Sequence, residues 1–140
     1  MRFFFYGTLI DADVRRAVLG PHAPARVEPA RLQGWRRAAV PGRSYPVLVA
    51  DAKASVEGVL AHGLKAAARR RLEAYEDDDF YELTGIEVAI AGRRRPVPAF
   101  VFGAKRPGAA AKLAGWGFDE WKRRHKRRFL LTLRRRRAAG

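Results

Sequence analysis

The sequence predicts a mixed, mainly antiparallel α+β domain, and three observations carry that expectation. About six short segments are apolar or alternate in polarity between Gly, Pro and Asp punctuation. Two or three others have helical spacing, and no repeat or long linker divides the 140 residues. A chain of this length with 48% apolar residues can build one hydrophobic core. Residues 1–133 are accordingly read as one domain, followed by a basic tail over 134–140.

The first strand is Phe3-Phe4-Phe5-Tyr6, aromatic throughout, and it stops at Gly7-Thr8-Leu9. Asp11 is placed to cap a helix over about residues 12–19, with Val14, Ala17 and Val18 as its buried stripe and Gly20-Pro21 as its end. Residues 26–40 read as extended, interrupted by Pro29 and Gly34, with a turn at Pro41-Gly42. Pro46–Val49 reads as a short strand and Ser55–Gly63 as a second. The polar Asp51-Ala52-Lys53 link between them is short enough for the two to be antiparallel neighbours. Leu64, Ala68, Leu72 and Tyr75 have the spacing of a helix over 65–76, which runs into Asp77-Asp78-Asp79. Tyr81–Ala91 alternates as a half-buried strand and pairs with Val97–Phe102 across a Gly- and Arg-rich turn. A last helix over about 118–133 carries Phe118, Trp121, His125 and Phe129 on one face, with His125 expected as a packing residue. Arg134–Arg137 repel one another and should fray.

Composition narrows the function classes. The absence of cysteine removes disulfides, thiolate catalysis and cysteine-ligated metals, and suits a reducing compartment. The apolar start is about five residues long and has no signal-peptide form, and no apolar run approaches the roughly 20 residues of a membrane span. A soluble cytoplasmic protein is expected. The formal charge of +15 invites a nucleic-acid reading, but residues 122–137 hold ten of the 29 basic side chains and no acidic one. The remainder has 19 basic and 14 acidic residues. The aromatics at 116–129 suit the buried side of a helix better than a base-stacking platform, so nucleic acid is an unlikely partner despite the tail.

Chemistry is suggested first by the opening strand. A strand ending at a glycine can aim several backbone N–H groups at one point, a nest for a carboxylate or oxyanion without a charged side chain. His22, His62 and His125 stand at no metal-ligand spacing, and neither GxSxG, a P-loop nor a dinucleotide glycine fingerprint is present. No metal and no cofactor is expected.

Phe5-Tyr6-Gly7-Thr8-Leu9 resembles the opening of the gamma-glutamylcyclotransferase-like family, which includes gamma-glutamylamine cyclotransferase and the plant avirulence-induced proteins. The likeness continues in order through Asp11-Ala12-Asp13-Val14, Leu32-Gln33-Gly34-Trp35, Tyr45-Pro46-Val47-Leu48, Val56-Glu57-Gly58-Val59-Leu60, Leu72-Glu73-Ala74-Tyr75-Glu76 and Trp116–Trp121. The resemblance implies a small closed or nearly closed β-barrel flanked by helices. It implies an enzyme that cleaves a gamma-glutamyl amide by attack of the substrate's α-amine on its own γ-carbonyl, releasing 5-oxoproline and an amine or amino acid. A non-catalytic protein of the same fold that binds a small carboxylate ligand is the alternative.

For that reaction one carboxylate base suffices, and residues 73–82 offer six acidic side chains. Physical reasoning alone does not choose among them. Glu76 lies four residues beyond Leu72, on the side of the helix nearest the core if Leu72 and Tyr75 face inward. The family pattern also puts its catalytic glutamate directly after a bulky residue, as Glu76 follows Tyr75. The resemblance assigns the Tyr6, Gly7, Thr8 and Leu9 loop to the substrate's α-carboxylate, with Tyr6 stacking on its stem or giving a phenol hydrogen bond. It puts Tyr45 and Pro46 in the cavity lining. Family members carry Gly after the glutamate and Tyr about four residues beyond it. Here Asp77 follows and position 80 is Phe, so either Phe80 or Tyr81 takes the tyrosine's place. The leaving amine and the oligomeric state are not readable.

Overall fold

The computed structural model describes residues 1–76, 81–104 and 113–139. Five strands, β1 (Phe3–Phe5), β2 (Arg26–Ala39), β3 (Pro46–His62), β4 (Tyr81–Val88) and β5 (Val97–Ala104), form one sheet in the order β2-β3-β1-β5-β4. Neighbours are antiparallel except β1 and β5. Among the described residues four α-helices accompany it: α1 (Ala12–Leu19), α2 (Ala66–Tyr75), α3 (Phe118–Arg124) and α4 (Lys126–Ala139). The α+β class expected from the sequence is therefore the one observed. No helix among the described residues is long and apolar enough to cross a membrane.

Alternation along β1 divides the core into two layers, because successive side chains of a strand leave opposite faces of the sheet. Phe3 and Phe5 join Val47, Val49 and Ala61 beneath the helices, against Val14 and Val18 of α1, Leu72 of α2, Trp121 of α3 and Leu130 of α4. Phe4 and Tyr6 point the other way, into a second cluster with Leu32, Leu48, Val56, Leu60, Val88 and Val101. The sheet curls around that second cluster until its edge strands meet. Arg31 of β2 and Ala89, just beyond β4, exchange two backbone hydrogen bonds of 2.9 and 2.8 Å. The edges touch there through a single bridge, so the sheet is an open, strongly curled one, and "barrel" describes it only loosely.

Two element boundaries differ from the expectation. Residues 46–62 are one long strand, and both its halves pair with β2 rather than with each other. The register slips between Gln33, opposite Ser55, and Trp35, opposite Ala50. The polar residues Asp51–Ala54 are therefore extra length at a bulge opposite Gly34, not a reversal, since no glycine or proline is there to turn the chain. The last helix is broken at His125 into α3 and α4, and α4 continues to Ala139 instead of stopping near 133. Arginine, leucine and alanine are all strong helix formers, and the repulsion between exposed guanidinium groups is small in water. His125 is exposed at that break, not buried on the apolar face.

The helices are fixed by charge as well as by packing. Asp11 Oδ1 accepts from the amides of Asp13 (2.9 Å) and Val14 (3.2 Å), capping α1 as its position before the helix suggested. Its Oδ2 pairs with Lys126 Nζ at 2.8 Å, and Lys126 also reaches Asp13 at 2.9 Å. The first turn of α4 is thereby tied to the first turn of α1. Trp121 holds α3 and α4 together, stacked on Phe118 with ring centroids 5.9 Å apart and edge-on to Phe129 at 5.5 Å.

Two outcomes follow for stability. A Cβ on Gly58 would stand 2.2 Å from the Phe5 carbonyl oxygen and 2.9 Å from the Phe4 ring. Gly58→Ala should cost about 2–3 kcal/mol, read as a lower midpoint of denaturant unfolding. The Lys126 ammonium, with help from Arg16, holds the Asp13 carboxyl down at about 2 against an ordinary 3.8. A carboxylate depressed on folding stabilises above its unfolded value, and that contribution disappears as pH falls from about 4 toward 2. The unfolding midpoints of the wild-type protein and Asp13→Asn should therefore differ at pH 5 and converge by pH 2.

Candidate functional site

One cavity of about 810 Å³ opens between the end of β1, the start of β3, the end of α2 and the α3–α4 pair. Tyr6, Gly7, Thr8, Leu9, Tyr45, Pro46, Glu76 and Tyr81 all line it. The structure thus brings these eight residues together from four separate stretches of chain.

The floor is the turn after β1. Gly7 precedes a single 3₁₀ turn, Thr8–Ile10, in which the Ile10 amide donates to the Gly7 carbonyl and the Asp11 amide to that of Thr8. The first amides of such a turn have no partner within it. Among the described residues, none accepts a hydrogen bond from the Gly7, Thr8 or Leu9 amide. Gly7 also lets β3 approach, since a Cβ there would lie 2.9 Å from Pro46 Cδ. The Arg15 guanidinium donates to the carbonyls of Leu9 (3.1 Å) and Ile10 (2.6 Å), holding the far side of the turn.

Glu76 comes from the opposite wall. It is the C-terminal cap of α2, where the backbone has turned extended (φ −75°, ψ 144°) and its amide donates to the Leu72 carbonyl at 3.0 Å. That bond keeps Glu76 on the Leu72 side of the helix, facing the cavity, half-buried. Among the described residues lining the cavity it is the one acidic side chain. Asp77–Phe80 lie outside the described residues, so the choice between Phe80 and Tyr81 is informed from one side only: Tyr81 lines the cavity and is buried.

Phenols surround the carboxylate. Burial above all, and the negative charge of Glu76 after it, push the Tyr6 hydroxyl far above the usual phenol range. Burial raises Tyr75 and Tyr81 in the same way, with Glu76 adding to both. All three phenols therefore stay neutral at any physiological pH. Their hydrogen bonds are already committed. The Tyr6 hydroxyl donates to the Phe102 carbonyl at 2.5 Å, the Tyr81 hydroxyl donates to the Pro46 carbonyl, and Tyr75 and Thr8 share a bond of 2.6 Å. Of the two roles expected for Tyr6, stacking on the stem or giving a phenol hydrogen bond, the structure bears on the second: the proton is held by β5, because at 6% exposure a donor must find a partner inside. The ring contributes packing, and the Thr8 hydroxyl is shared with Tyr75.

Sequence reasoning missed the outer wall. His125, Arg128, Phe129, Thr132, Leu133 and Arg136 line the cavity, with Arg124 from α3. Their spacing of three and four residues is that of one helix face, so the periodicity was visible, but nothing local told which element that face would meet. The edge-on contact of Phe129 with Tyr75, centroids 6.4 Å apart, seats this wall against the end of α2. No group of three or more His, Cys, Asp or Glu side chains that could hold a metal ion occurs among the described residues.

Comparison with known proteins identifies the family. Residues 3–123 match the family described as gamma-glutamyl cyclotransferase, AIG2-like. The chain is 31% identical over 134 residues to AIG2-like protein A of Arabidopsis thaliana, covering 94% of this chain and 78% of that protein. A solution structure of an Arabidopsis thaliana protein superposes with a TM-score of 0.70 at 27% identity, over 94% of this chain and 86% of that one. A solved gamma-glutamyl cyclotransferase shares the fold at a TM-score of 0.60 and 12% identity, over 75% of this chain and 66% of that one. With the family match running from the first strand into α3, the chain belongs to the gamma-glutamyl cyclotransferase, AIG2-like family.

Proposed function

We propose that the protein is a cofactor-independent cyclising acyltransferase that cleaves a gamma-glutamyl amide to 5-oxoproline and a free amine or amino acid. The observation that supports this reading is that a half-buried carboxylate, Glu76, shares one cavity with the amides of Gly7, Thr8 and Leu9, which have no acceptor among the described residues. The amides offer partial positive charge for the α-carboxylate of a glutamyl group. Glu76 offers a base for the ammonium group beside it.

The reaction balances within one substrate. The α-ammonium gives a proton to Glu76, and the freed amine adds to the γ-carbonyl carbon to form the five-membered ring. As the tetrahedral centre collapses, the bond from the γ-carbon to the amide nitrogen breaks. In all, the ring nitrogen gives up two protons and the departing nitrogen gains two, with Glu76 as the relay. Because nucleophile and electrophile share a chain, most of the acceleration comes from holding the curled conformer. Tyr6, Tyr45, Pro46 and Tyr81 serve that purpose as rigid walls: the Tyr45 and Tyr81 rings lie 6.0 Å apart, and Tyr81 is bonded to the Pro46 carbonyl.

Incubation with gamma-glutamyl-alanine, gamma-glutamyl-lysine and related amides should release 5-oxoproline, detected chromatographically. Glu76→Gln should lower kcat by roughly 10²–10⁴-fold while leaving ligand affinity within a few-fold. Saturable binding of these compounds with no product would favour the non-catalytic carboxylate-binding protein instead.

A further inference from the structure

Among the described residues the cavity's lining is strongly lopsided in charge. Glu76 is its one described acid, while Arg43, Arg124, Arg128 and Arg136 all contribute to the wall. Arg128 and Arg136 form no ion pair with any described residue, and Arg124 has only a 3.6 Å contact with Glu120. Both unpaired arginines lie on the cavity face of α4 with Thr132 midway between them, roughly 12 Å apart along the helix axis at 1.5 Å per residue. Lys126 and Leu130 fix that face, the first through Asp11 and Asp13 and the second by burial in the core.

A gamma-glutamyl group brings one carboxylate, and the proposed reading assigns it to the amides of the first turn. The exposed arginines of α4, on the same cavity as the amides and Glu76 but distinct from both, are then available to the departing half of the substrate. From this we infer that the leaving group carries two or more negative charges along an extended chain, as an acidic oligopeptide acylated by the glutamyl γ-carboxyl group would. The arginine row is a specificity element that selects by charge spacing, and the inference rests on the cyclotransferase reading of the same cavity.

Four substrates separate the possibilities: the gamma-glutamyl amides of glycinamide, glycine, glutamyl-glutamate and cadaverine, with neutral, singly acidic, multiply acidic and basic leaving groups. At low salt, kcat/KM for the glutamyl-glutamate compound should exceed that for the glycinamide compound by roughly tenfold, as two or three exposed charge contacts provide. The ratio should shrink toward one as salt rises to about 0.5 M. Arg128→Gln and Arg136→Gln should each narrow it at low salt, and Arg128→Glu should move the preference toward the cadaverine amide. A ratio near one, one indifferent to salt, or a preference for the basic substrate in the wild-type protein would overturn the inference while leaving the cyclotransferase reading intact. If no compound is turned over, that reading fails instead. Calorimetric binding of the same compounds to Glu76→Gln then decides the charge selection: tighter binding of the multiply acidic compound at low salt sustains it, and equal affinities refute it.

Discussion

The Asp11 carboxylate is the joint on which the arrangement turns. The Asp11 side chain is only 4% exposed; one oxygen caps α1 and the other takes the Lys126 ammonium at 2.8 Å. A buried acid is costly unless its oxygens are satisfied, and here two amides and an ammonium satisfy it. Because Asp11 directly follows the 3₁₀ turn, the same residue fixes where that turn ends, where α1 begins and where α4 lies. The cavity is the space between the first and the last of these, so the ion pair at Asp11 fixes one side of it while Leu130 and Phe129 seat the other.

Within that space, protein groups have been arranged to keep charge scarce on the inner side and abundant at the mouth. Tyr6, Tyr75 and Tyr81 are neutral and hydrogen-bonded to fixed partners, so they wall Glu76 with rigid, weakly polar surface. A low local dielectric strengthens any interaction between Glu76 and a bound ammonium group. The arginines, by contrast, are exposed and act through screened water. The proposed chemistry and the proposed selection would then fall to different parts of one hollow.

Much of this was legible in the sequence, for local reasons. Phe3–Tyr6 had to be a strand and Gly7 had to stop it; Asp11 had the side chain and position of a cap; Leu72 and Tyr75 fixed the face on which Glu76 would lie. What was not legible depended on tertiary pairing. The single strand over 46–62 looked like two because its polar middle suits a turn as well as a bulge; the missing glycine or proline speaks against the turn, and the register with the partner strand settles it. The hydrogen bond from Tyr6 to Phe102 joins residues 96 apart, and no periodicity predicts such a partner. The α4 wall was not legible as a wall because the spacing of Phe129 and its neighbours shows a packed helix face without showing which element that face meets, and ten basic residues without an acid look like its solvated outer side.

The bridge between Arg31 and Ala89 bears on how the molecule behaves in a crowd. β2 and β4 end the sheet, and an exposed end strand presents a row of free amides and carbonyls that recruit strands from other chains. Here Ala89 occupies the middle of the β2 border, while Ala114 and Trp116 bond to Ala39 and Arg37 nearer its C-terminal end, at 2.6 and 3.4 Å. The longest free border of the sheet is capped at intervals by its own chain. Self-templated aggregation along it would first have to peel those caps away, so curling the sheet also guards solubility.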